Sequence, residues 1–98
     1  MKNADLADIL ARNASALRAR GVEHLAIFGS RARGDNRPDS DLDVLIDVPF
    51  DRKFSLIDLV AVERIIGETA GCSAGAVMRR SAKPEFLARI ANDVIEIY

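Results

Sequence analysis

Apolar residues recur along this chain with two periods, and the switches between them outline its elements. Over residues 4–20, Leu6, Ile9, Leu10 and Leu17 fall on one face at helical spacing, with Asn13 and Ala14 between them. Asn3 suits the capping position, Asp5 the first turn and Gly21 the stop, while Arg12, Arg18 and Arg20 belong to the solvated side. Residues 22–28 read Val-Glu-His-Leu-Ala-Ile-Phe, a strand too continuously apolar at its end to have one wet face. Residues 41–48 predict a second strand, opened by Asp41 and Asp43 and continued through Val44, Leu45 and Ile46. Pro49 to Phe54 is a connecting loop. Ser55 and Asp58 then resemble a capping box with Asp in the Glu position. They open a helix whose buried face is Leu56, Leu59, Val60, Val62 and Ile66, ended by Gly67 or Gly71. Residues 73–78 form a weak third strand with Gly75 inside it. Pro84 and Glu85 suit the first turn of a last helix, 84–97, with Phe86, Leu87, Ile90, Ala91, Val94 and Ile95 on its apolar face.

These elements predict an α/β (α+β) fold: a small mixed sheet in the order α-β-β-α-β-α, with helices covering one face. Ninety-eight residues suit a single domain, 1–98. A net charge of −1 supplies no global field toward nucleic acid or membrane, so neither is an expected partner. No apolar run approaches the roughly 20 residues of a membrane span, and no signal peptide opens the chain. The one cysteine, Cys72, excludes an internal disulfide and suits a cytoplasmic setting, where it packs as a small apolar residue. The one histidine, His24, has no second histidine or thiol beside it and reads as a strand-edge residue. Arg37, Arg79 and Arg80 read as surface residues, and Tyr98 as packed on its own domain.

The chemistry concentrates between Leu25 and Asp47. A strand ends at Gly29-Ser30, ten residues pass, and Asp41-Leu42-Asp43 opens the next strand. Glycine lets backbone amides approach an anion closely, and the serine hydroxyl adds a donor. Arg31-Ala32-Arg33 predicts a short helical turn whose first amides face the same anion. Side chains alternate along a strand, so Asp41 and Asp43 share a face with Cα atoms roughly 6.6 Å apart. Two carboxylates at that separation can converge on magnesium, whose remaining ligands would be phosphate oxygens and water. Asp47 shares the face but lies about 13 Å beyond Asp43, too far to join. A P-loop is excluded. Gly29-x-x-x-x-Gly34 is followed by Asp35 and Asn36 where Lys and Ser/Thr are required.

Gly-Ser, about ten residues and Asp-x-Asp resemble the signature of the DNA polymerase β-like nucleotidyltransferases. Arg31-Ala32-Arg33-Gly34 and Pro38-Asp39-Ser40-Asp41-Leu42-Asp43 are similar to the minimal branch, including MntA-type antitoxins that pair with HEPN-domain toxins. A weaker similarity continues through Lys83-Pro84-Glu85 to Ile95-Glu96-Ile97-Tyr98. The resemblance implies ATP as substrate and Mg2+ as cofactor. It implies Gly29, Ser30 and Arg31 as nucleotide-binding residues, and Asp41 and Asp43 as catalytic metal ligands. It further implies a HEPN-type partner, and it leaves self-association open.

One family feature is missing. The third strand of the minimal branch normally carries a carboxylate that assists the attacking hydroxyl. Counting back from Arg79-Arg80, its position falls on Gly75, and no Asp or Glu occurs between Glu68 and Glu85. Two functions therefore stand: a magnesium-dependent enzyme moving AMP onto a hydroxyl, or a catalytically impaired domain acting as a binding antitoxin.

Overall fold

The computed structural model describes residues 3–98, with side chains from Asp5 onward. Four strands form one mixed sheet in the order β3-β2-β1-β4. Strand β1 (His24–Phe28) runs antiparallel to β2 (Leu42–Asp47), and β2 runs parallel to β3 (Ala74–Met78). The parallel pair needs a crossover, which helix α4 (Leu56–Ala70) supplies.

The strand alternation sorts the sheet into two faces. Leu25, Ile27, Val44 and Ile46 point to one side, where α1 (Asn3–Arg12), α2 (Ala14–Ala19) and α4 bury Leu6, Leu10, Leu17, Val62 and Ile66 against them. Ala26, Phe28 and Leu45 point to the other, where α5 (Pro84–Ile90) adds Ile90 with Phe86 and Leu87 beside it. Helices thus cover both faces, not the single face expected. A sheet whose central strands are apolar on both sides needs two covers.

Three further expectations are corrected. The helix predicted over 4–20 is two helices, because Asn13 turns its amide to the Thr69 hydroxyl on α4 and takes φ −92°, ψ 7°. The cap expected from Asn3 lies outside the described side chains. The helix predicted over 84–97 stops at Ile90, and Ile95–Glu96 becomes a fourth strand, β4, on the free edge of β1. An apolar alternation from Val94 to Tyr98 suits a strand as well as a helix turn, and the unpaired edge of β1 decides between them. The edge pairing continues past β4: Ile97 N–H donates to Leu25 O at 2.8 Å, and Leu25 N–H to Tyr98 O at 3.1 Å. Finally, Leu56 and Val60 face solvent, 74% and 53% exposed, whereas Ala61, Val62 and Ile66 are buried.

Other expectations hold. Ser55 and Asp58 form the capping box, and Gly71 closes α4 at φ +74°. Tyr98 packs on its own chain, its hydroxyl donating to Val22 O at 3.0 Å beneath the Arg18 guanidinium. His24 is exposed beside Glu23. Arg79 and Arg80 are structural as well as superficial. Arg79 bridges Asp47 at 2.7 Å and Glu96 at 3.4 Å, and Arg80 donates to the carbonyls of Pro49 and Arg52.

Candidate active site

The site is built where β1 ends and β2 begins. Chain reversal after Phe28 falls to Gly29, which adopts φ +77° and opens the short helix α3 (Gly29–Arg33). That backbone conformation is strained for any residue with a Cβ. The space is also closed, since a Cβ at Gly29 would stand 2.5 Å from Oδ2 of Asp43. Glycine here brings the start of α3 directly against the Asp43 carboxylate. The next residue, Ser30, is half-buried, and its hydroxyl has no hydrogen-bond partner among the described residues.

Asp43 lies opposite Phe28 on one side and Gly75 on the other. It therefore projects from the α5 face of the sheet, at the margin of the cluster made by Phe28, Leu45 and Ile90. Phe86 closes that margin with an edge-on contact to Phe28, ring centroids 5.7 Å apart. Burial raises the Asp43 pKa, the negative charge of Asp41 raises it further, and Arg33 opposes both. Asp41 sits exposed, one residue before the strand begins.

Arg31, expected to share the triphosphate, directs its guanidinium into the loop. Its Nε and Nη2 donate to Ser40 O at 2.9 and 2.7 Å, and Nη2 reaches Pro38 O at 3.3 Å. Arg33, two residues on, is paired with two carboxylates. It donates to Asp35 at 3.0 Å and to Asp93, in the turn after α5, at 2.8 Å. The Arg-x-Arg spacing marked both residues, but a partner sixty positions away leaves no local signature.

The donor set fits magnesium. Asp43 is held partly desolvated beside a like charge, a cost that a divalent cation would relieve. The donors are oxygens. Among the described residues no group of three or more His, Cys, Asp or Glu could hold a metal alone. Two carboxylates completed by phosphate and water is the arrangement magnesium commonly takes. Gly75, in register with Asp43, brings no carboxylate to the set.

Residues 7–97 match the nucleotidyltransferase domain family. The protein adenylyltransferase MntA of Thermococcus cleftensis is 30% identical over 94 residues, covering 95% of this chain and 93% of that one. A solved structure assigned as a minimal nucleotidyltransferase superposes with a TM-score of 0.72 at 26% identity, covering 97% of this chain and 95% of that one. A chain from the complex of the tri-AMPylated Shewanella oneidensis HEPN toxin with its MNT antitoxin shares the fold. Its TM-score is 0.66 at 13% identity, covering 94% of this chain and 71% of that one.

Proposed function

Since the chain belongs to the nucleotidyltransferase domain family and to its MntA-like protein adenylyltransferases, we propose that it binds ATP with magnesium and transfers AMP to a hydroxyl on a HEPN-type partner protein. The observation that carries this is the contact geometry of Gly29 with Asp43, beside Asp41. A turn suited to an anion beside a carboxylate pair suited to a cation supports a metal-bound triphosphate here. The AMPylated toxin in the Shewanella complex supports the choice of acceptor. We read residues 1–98 as one catalytic domain working in the cytoplasm, and no described helix is long and apolar enough to cross a membrane.

In this reading the acceptor hydroxyl oxygen forms a bond to the α-phosphorus, and the bond from that phosphorus to the β-phosphate bridge breaks. Pyrophosphate leaves, and the hydroxyl proton passes to solvent. Bound magnesium would neutralise the phosphate charge that builds in the transition state. Gly29 permits close approach of backbone amides to the β,γ-phosphates, and the free Ser30 hydroxyl donates to them. Asp41 and Asp43 would hold the cation. Gly75, in register with Asp43, offers no carboxylate to take the acceptor proton, so catalysis in this reading rests on positioning and charge.

Gly75 favours a second reading, a domain that binds nucleotide and partner but transfers slowly. Incubation with ATP labelled at the α-phosphate, magnesium and a HEPN partner separates the two. Label on the partner that disappears with Asp41→Asn/Asp43→Asn supports transfer. Magnesium-dependent ATP binding without label supports the binding antitoxin. Absence of both overturns the site.

A further inference from the structure

Asp41 precedes the ladder that fixes Asp43, so something else must place its carboxylate. On its far side, Leu42 N–H donates to Ser73 O at 2.8 Å. On its near side stands Ser40, whose carbonyl accepts two bonds from Arg31. Within the loop, Ser40 N–H donates to Arg37 O at 3.1 Å and Arg37 N–H to Ser40 Oγ at 2.9 Å. Those bonds fold the loop on itself without tying it to α3. The start of the loop is held to α3 by Asp35 N–H to Ser30 O at 3.1 Å and by Arg33 to Asp35, and its end, at Pro38 and Ser40, is held by Arg31. A planar guanidinium suits this task, because its Nε and Nη2 both meet the Ser40 carbonyl while Nη2 also reaches that of Pro38.

We propose that Arg31 is a positioning residue that latches the 35–40 loop to α3 so that Asp41 meets Asp43 at a divalent cation, and that it is not a ligand of the triphosphate. This rests on the cation reading of Asp41 and Asp43.

The test uses the full chain and Mn2+ alone, with free Mn2+ followed by electron paramagnetic resonance. Electrostatics and latching predict opposite signs. Removing a positive charge near two carboxylates should tighten cation binding. Losing the latch should weaken it, by about 10-fold, as for other residues that orient metal ligands. The latch predicts this loss in Arg31→Gln and in Arg31→Lys, since an ammonium cannot make the fork. Metal-free melting temperatures should stay within a few degrees of wild type. Unchanged or tighter Mn2+ binding by Arg31→Gln overturns the latch. So does wild-type-like Mn2+ affinity in Arg31→Lys, or unfolding of both variants. Failure of the wild type to bind Mn2+ overturns the cation reading as well, and so is distinguishable from failure of the latch alone.

Discussion

Gly29 and Asp43 are in such close approach that a single added methyl would stand 2.5 Å from a carboxylate oxygen. Gly29→Ala therefore meets two penalties, the left-handed backbone and displacement of Asp43. Gly34 separates them: it has φ +83° with nothing within 4 Å of an added Cβ. Gly34→Ala should lose about 1–2 kcal/mol in urea unfolding from the backbone alone. Gly29→Ala should lose more, and should also lose magnesium-dependent binding of an ATP analogue by calorimetry. Equal losses in the two variants would mean that the contact with Asp43 is unimportant.

Asp43 should make the protein less stable at neutral pH than an uncharged side chain would. Its folded pKa is raised, chiefly by burial and then by Asp41. A raised pKa means the folded state holds the proton more tightly than the unfolded chain does. The group's stabilising contribution is then complete below the unfolded carboxylate value of 3.8 and is lost as pH rises through the folded value. Asp43→Asn should melt higher than wild type at pH 7, with the gain shrinking toward pH 4. Magnesium should raise the wild-type melting temperature at pH 7 and leave the variant unmoved. A variant that melts lower than wild type at pH 7 would refute this.

Asp58 carries the opposite sign. The Ser55 N–H, then the Ser55 hydroxyl, hold its pKa below the usual value. Its contribution is present above the unfolded carboxylate range and is lost as pH falls through the lowered folded value. Asp58→Asn should melt lower than wild type at pH 7, and the deficit should close in acid. A deficit independent of pH would assign the cost to geometry and not to charge.

The candidate site was legible because its parts are local. Gly29-Ser30 ends one strand and Asp41-Leu42-Asp43 enters the next, and the two-residue spacing is enough to mark the aspartates as a pair. Counting back from Arg79-Arg80 puts Gly75 where the resemblance implies a carboxylate, and the ladder sets Gly75 in register with Asp43. What stayed hidden depends on distant partners. Asn13 breaks its helix for a threonine on another helix. Val94 to Tyr98 fits two periods, and only the open edge of β1 selects the strand. Leu56 and Val60 are apolar at helical spacing, yet α4 presents the other stripe to the sheet. Arg31 acts on carbonyls, which every residue has, so no side-chain pattern marks its targets.

Gly75 gives a direct test of the second reading, a domain that binds but transfers slowly. It faces Asp43 across the parallel ladder, so a side chain there would leave the same face of the sheet. A Cβ at Gly75 meets nothing within 4 Å, and its φ lies outside the left-handed region. Neither a bulge nor a close backbone approach stands in the way of a substitution. Gly75→Asp should therefore fold, with a somewhat lower melting temperature without magnesium, because a third carboxylate joins two like charges. Magnesium should restore that difference. With the partner present, transfer of AMP should rise, since a positioned base contributes roughly 10²–10⁴-fold in rate. Gly75→Asn is the control: it has the same shape but can neither accept the proton nor carry the charge, so it should not accelerate transfer. A folded Gly75→Asp no faster than wild type would remove the missing base as the explanation for slow chemistry. Fast transfer by the wild type would mean that the acceptor or the partner supplies what Gly75 cannot.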